Sequence, residues 1–243
     1  MNDDSRIIVA LDTTDIETIT KLVKDLSPHV NCFKIGLELM SSLGGPQMVK
    51  YIHELGGKVF YDGKFCDIPN TVGASAKAIS ALNVDMFNVH ACCGRKAMKK
   101  AVENKRNSKV LAVTVLTSLD EGDVHLIFGE LVEMKVLQFA KDAKRAGCDG
   151  IICSPKDLEF LNEEELKDLV KVTPGVRPDW ASLGDQKRVM TPGEAIKAGA
   201  TALVIGRPIT NPPKEIGSPV NAAISINIEI AEALREMARS PKE

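Results

Sequence analysis

The chain of 243 residues reads as one closed (β/α)8 barrel, the TIM-barrel architecture, with residues 1–243 forming a single domain. Three observations predict it. Eight short β-rich apolar runs alternate with helix-like segments, glycines stand where helices should stop, and the Gly-x-Gly-x-x-Gly fingerprint of an open nucleotide-binding sheet is absent. The strands are expected at Ile7 to Leu11, Cys32 to Ile35, Lys58 to Asp62, Met86 to His90, Val110 to Val115, Gly150 to Cys153, Val170 to Thr173 and Ala202 to Ile205. Between them, helices are expected at Ile16 to Leu26, Pro46 to Leu55, Pro69 to Leu82, Arg95 to Asn104, Leu131 to Ala146, Leu158 to Leu166 and Pro192 to Ala198. Pro69 suits the first turn of its helix, where its missing N–H costs nothing. Gly56-Gly57, Gly147 and Gly199 each follow a predicted helix at the place of a left-handed cap.

Composition narrows the function classes. An apolar fraction of 44%, a charged fraction of 26% and a net charge of −2 describe an ordinary soluble globular chain. No Lys/Arg cluster is dense enough for a nucleic-acid footprint, and no apolar run approaches membrane-spanning length. Asp4 is followed almost at once by Ile7-Ile8-Val9, leaving too little for a signal peptide, so a cytosolic protein is expected. The six cysteines, at 32, 66, 92, 93, 148 and 153, form no metal-type pair of Cys-x-x-Cys units and are expected to be free and buried. The four scattered histidines pair with no second His or Cys at ligand spacing, so a structural zinc site has little support.

In a closed barrel the C-terminal strand ends share one mouth, so residues distant in sequence become candidates for one site. That mouth would collect Asp12, Lys34, Asp62, Lys64, His90, Gly206 and Arg207. Asp62 and Lys64 stand two apart at a strand end and should project into the same space; Asp67 follows on the loop. A lysine inside the apolar stretch Phe33-Lys34-Ile35-Gly36 needs a carboxylate, for which Asp62 is the natural partner. Two long connections are candidate lids: one from Thr117 through Asp123 to Gly129, the other from Pro174 through Trp180 and Gln186 to Arg188. The second follows the seventh strand, and Gln186 and Arg207 fit a phosphate site there.

The run Asp62-Gly63-Lys64-Phe65-Cys66-Asp67-Ile68-Pro69-Asn70-Thr71 resembles the signature of the orotidine 5′-phosphate decarboxylase family. Val9-Ala10-Leu11-Asp12, Phe33-Lys34-Ile35-Gly36, Asn88-Val89-His90-Ala91, Val115-Leu116-Thr117, Thr173 to Pro178, Gly184 to Val189 and Val204 to Thr210 resemble its bacterial branch in order along almost the whole chain. The resemblance implies a homodimeric barrel that converts orotidine 5′-phosphate to uridine 5′-phosphate and carbon dioxide without metal or organic cofactor. It implies that Lys64 protonates C6, that Lys34 and Asp62 hold its ammonium, and that Asp67 enters from the other subunit with Ile68 lining the pyrimidine and Thr71 reaching the ribose. It further assigns Asp12 and Lys34 to the sugar, Thr117 to the pyrimidine and carboxylate region, and Gln186, Gly206 and Arg207 to the phosphate.

The chain departs from the bacterial pattern at Gly63, where a larger apolar residue is usual, at Cys66, where His is usual, and at Cys93, where Gly is usual. Gly63 is expected to loosen the backbone between Asp62 and Lys64, and Cys93 to disturb the turn after His90. Two rivals stand beside the decarboxylase. One is the sister group of magnesium-dependent 3-keto-hexulose-phosphate synthases and keto-gulonate-phosphate decarboxylases, which lacks the Ile-Pro-Asn-Thr continuation. The other is an idle barrel that binds a nucleotide without chemistry.

Overall fold

A computed structural model describes residues 4–181 and 190–239. Along the chain run β1 (Ile7–Ala10), α1 (Ile16–Leu26), β2 (Cys32–Ile35), α2 (Leu37–Leu43), α3 (Gly45–Glu54), β3 (Val59–Phe65), α4 (Pro69–Ser80), β4 (Met86–His90), α5 (Arg95–Glu103) and β5 (Lys109–Val113). Then follow α6 (Glu121–Phe128), α7 (Val132–Ala146), β6 (Gly150–Ile152), β7 (Val170–Pro174), α8 (Pro192–Lys197), β8 (Ala202–Ile205), α9 (Arg207–Thr210) and α10 (Pro219–Arg239). All eight strands pair in parallel and in chain order, and β8 returns to β1 to close the barrel.

Strand periodicity decides what the barrel interior holds. Ile8 and Ala10, Cys32, Phe60, Met86, Leu111, Val172 and Val204 pack together as the inner cluster, while the alternate residues, such as Val9, Phe33, Val59 and Phe87, join the larger layer between strands and helices. Two residues beyond an inward side chain the strand faces inward again. Lys34, Asp62, Asn88, Pro174 and Gly206 thereby all turn toward the axis at the C-terminal mouth, above an apolar plug.

The helices obey their end signals. Asp15 caps α1 by accepting from the Thr18 N–H, and Thr191 with Glu194 forms a capping box on α8. Gly56, Gly147 and Gly199 have φ values of 82°, 84° and 110°, the left-handed region expected of them. Four expectations require correction. The stretch Leu158 to Leu166 is two 3-10 turns, Pro155–Leu161 and Glu164–Leu166, because its buried residues Pro155, Leu158 and Leu161 recur every three positions and a Ser154/Asp157 capping box starts the turn early. The connection after Thr117 contains α6, started by an Asp120/Asp123 capping box and stopped by Gly129 at φ 72°; with only Val124 buried, it carries almost no amphipathic signal. Helix α2 and the long α10 were also unanticipated. Asn227 of α10 bonds Ser5 Oγ (3.0 Å) and the His29 carbonyl (2.8 Å), tying the last helix to the start of the chain. Finally, all six thiols are free, but only Cys32, Cys148 and Cys153 are buried; Cys66 and Cys92 are exposed because they follow their strands into the mouth loops.

Candidate active site

At the mouth, four alternating charges form a continuous chain. Lys34 Nζ lies 3.3 Å from Asp12 Oδ1 and 3.3 Å from Asp62 Oδ2, and Lys64 Nζ lies 2.7 Å from Asp62 Oδ1. Asp62 is the buried centre of the array, and Asp12 is its exposed end. At roughly 4 Å and an effective dielectric near 20, Asp62 attracts each of its two lysines by about 4 kcal/mol, which works against the cost of burying its charge, while the exposed Asp12 adds little. Gly36 belongs to the same corner: a Cβ there would stand 3.0 Å from Lys34 Nζ and push the ammonium aside.

Lys64 reaches this space by an unexpected route. Simple alternation along an extended strand would also aim it inward, but the β3–β4 register shifts between Tyr61 and Phe65, and Lys64 has φ 47°. A left-handed lysine costs of order 1–3 kcal/mol. Its N–H donates to Asn88 Oδ1 at 2.6 Å, and Asn88 Nδ2 donates to Asp62 Oδ1 at 2.6 Å, so one fully buried amide connects the strained backbone to the carboxylate. Asn88 stands in the Asn88-Val89-His90-Ala91 match with no role drawn from the sequence, although an amide between Phe87 and Val89 on a barrel strand is itself a signal. His90, half-buried on the same strand, has its pKa lowered first by burial and then by the Lys64 cation, against the opposing influence of Asp62.

A cavity of about 230 Å³ is lined by Lys34, Asp62 and Lys64 of the array together with Phe60, Val113, Val115, Leu116, Thr117, Ile152, Pro174 and Val204. Lys34, Pro174 and Val204 also border a second cavity of about 160 Å³ that adds Asp12, Gly206 and Arg207. Arg177, Arg207 and Pro208 are shared with a third, of about 390 Å³, that reaches Trp180. The mouth is therefore a groove with a charged, partly apolar end and an arginine-lined end. The long connection after β7 is pinned at its base, where Val176 bridges Met190 and the Arg177 N–H donates to the Met190 carbonyl at 2.9 Å. Gln186 lies outside the described residues. Asp67, Ile68 and Thr71 are exposed and do not line the cavity of their own chain; Asp67 accepts from the Ile68 N–H. Among the described residues, no group of three or more His, Cys, Asp and Glu side chains is placed to hold a metal ion.

A family model described as "Orotidine 5'-phosphate decarboxylase / HUMPS family" matches residues 5–218. The chain belongs to this family. It is 43% identical over 244 residues to an orotidine 5′-phosphate decarboxylase of Syntrophomonas wolfei, covering 96% of this chain and 100% of that one. It is 44% identical over 241 residues to the corresponding protein of Moorella thermoacetica, covering 95% and 94%. The crystal structure of orotidine 5′-phosphate decarboxylase from Lactobacillus acidophilus superposes with a TM-score of 0.79 at 36% identity, over 93% of this chain and 99% of that one.

Within this family, two of the chain's departures prove to be accommodated locally. The space a side chain at Gly63 would take is filled by Tyr61 and Phe65, whose ring atoms stand 2.7 and 3.0 Å from the position of a Cβ. Those rings are 6.1 Å apart between centroids, and Phe65 lies 5.8 Å from Phe87, so the aromatic group braces the backbone that glycine was expected to loosen. Cys93 ends a 3-10 turn, Ala91–Cys93, and the positive φ needed to leave it falls on Gly94 at 87°. Cys93 itself is not asked to adopt the left-handed conformation that favours glycine.

Proposed function

We propose that this chain decarboxylates orotidine 5′-phosphate to uridine 5′-phosphate, in pyrimidine nucleotide biosynthesis. The observation that carries the reading is the Lys34–Asp62–Lys64 array facing an otherwise apolar cavity that opens toward Arg207. The pyrimidine occupies the cavity, with Thr117 at its rim. Asp12 and Lys34 meet the ribose, and Arg207, Gly206 and Gln186 take the phosphate. Breaking the bond from C6 to the carboxylate releases carbon dioxide and leaves the electron pair on C6, in the ring plane, where no carbonyl can delocalise it. Stabilisation must be electrostatic, and a fixed ammonium supplies it without reorganisation. Lys64 then transfers a proton from Nζ to C6 and regains one from solvent. Asp62 and Lys34 hold the ammonium in place, and Asp62 stands near the departing carboxylate. Grip on the remote phosphate contributes to rate as well as to affinity, because binding energy gathered there holds the reacting ring against the charged array.

The working unit is a cytoplasmic homodimer, with Asp67, Ile68 and Thr71 reaching the partner's cavity. Their exposure, on the short connection after β3 and in the first turn of α4, supports this arrangement. The test is the absorbance change on adding orotidine 5′-phosphate, with and without chelator. Turnover insensitive to chelator is expected. A requirement for added magnesium would transfer the chain to the sister group, and tight nucleotide binding without turnover would make it an idle barrel.

A further inference from the structure

We propose that Asn88 is the positioning residue that sets the Asp62–Lys64 pair for proton delivery, an inference that rests on the decarboxylase reading. Its two hydrogen bonds, both 2.6 Å, have fixed and opposite polarity. The Lys64 backbone N–H can only donate and the Asp62 carboxylate can only accept, so the residue between them must accept on one side and donate on the other. Among side chains of this size a primary amide does both at once. An aspartate offers two acceptors, and leucine offers neither. The side chain is wholly buried on the inward face of β4, so water cannot substitute for it.

Each bond controls a different feature of the site. The first holds Lys64 in the left-handed conformation that aims it into the cavity after the register shift of β3. The second fixes Asp62 Oδ1, the same oxygen that takes Lys64 Nζ at 2.7 Å. The amide thus bonds both the backbone from which the ammonium extends and the oxygen to which it is anchored. Asn88 lines none of the three cavities, so it acts on substrate only through its two partners.

The test is a pair of variants assayed on orotidine 5′-phosphate across pH. Asn88→Ala should lower kcat about tenfold to a hundredfold at every pH, the scale at which small misplacements of reacting groups act, with KM little changed. Asn88→Asp is isosteric and diagnostic. Burial and the neighbouring Asp62 charge raise the pKa of the introduced carboxyl, against the lowering influence of the Lys64 and Lys34 cations on the far side of Asp62; while protonated, it can donate to Asp62 with one oxygen and accept from the Lys64 N–H with the other. Its kcat should approach the unsubstituted rate at the acid end and fall above the raised pKa toward the lower rate of the ionised form, a step added to the parent's own profile. Circular dichroism at each pH separates loss of fold from loss of rate, and if Asn88→Asp unfolds, the kcat-against-KM split of Asn88→Ala decides. Unchanged kcat in Asn88→Ala, or an Asn88→Asp profile parallel to the parent's while folded, overturns the positioning role. Absence of turnover in the unsubstituted protein overturns the decarboxylase reading, and this inference with it.

Discussion

At the scale of single residues, Lys64 and His90 carry opposite lessons. Lys64 is held by its side-chain bond to Asp62 and its backbone bond to Asn88 rather than by burial, so its removal should abolish chemistry without removing the fold. Lys64→Ala is expected to lower turnover at least about a thousandfold while circular dichroism stays native. Near-normal turnover would end the proposed mechanism. His90 bears instead on stability. Its folded pKa is lowered, so the unfolded chain takes up a proton more readily, and the contribution of neutral His90 is intact above the unfolded pKa near 6.5. That contribution declines as pH falls from there through the lower folded value. Denaturant midpoints measured down this range should drop in the parent protein and drop less in His90→Gln; parallel curves would show that His90 is not the group responsible.

At the scale of elements, β3 is the decisive segment. Its apolar start, Val59-Phe60, was legible as a strand, and the spacing of Asp62 and Lys64 suggested a shared direction. The register shift and the left-handed lysine were not legible, because they depend on pairing with β4 and on the Asn88 amide across that seam. Gly63 belongs to this element, its missing side chain replaced by the rings of Tyr61 and Phe65. Gly63→Leu should therefore overpack the aromatic group and destabilise the chain by about 1–3 kcal/mol, read as a lowered urea midpoint. An unchanged midpoint would mean that the rings move aside freely and do not brace the turn. Helix α6 shows the converse limit. Its strongly exposed Leu126 and Ile127 break the pattern from which a helix is usually read, so the segment reads as a connection.

At the scale of the whole molecule, the proposed site needs two chains, with Lys64 of one beside Asp67 of the other. Each of Lys64→Ala and Asp67→Ala should be nearly inactive alone. Unfolded together and refolded, they form heterodimers in which one site carries both lesions and the other carries neither. Random pairing at equal input makes half the dimers mixed, so activity should return to about a quarter of that of the unsubstituted protein. Mixtures verified to contain heterodimers yet still inactive would show that Asp67 does not act across an interface.

The sequence by itself determined the barrel and most of its candidate charges, because strand alternation and helix punctuation are local signals and the C-terminal ends of parallel strands must share one mouth. Lys34 was legible together with its partner, since a buried cation on an apolar strand requires a carboxylate. Only the tertiary structure decided how the charges are held: Asp12 as a second partner of Lys34, and Asn88 as the bridge between Asp62 and the Lys64 backbone. Each depends on which atoms of neighbouring strands come within about 3 Å, the range of a hydrogen bond. Residue spacing fixes the face a side chain presents, whereas the contact that holds it depends on inter-strand register and on local departures such as the register shift in β3.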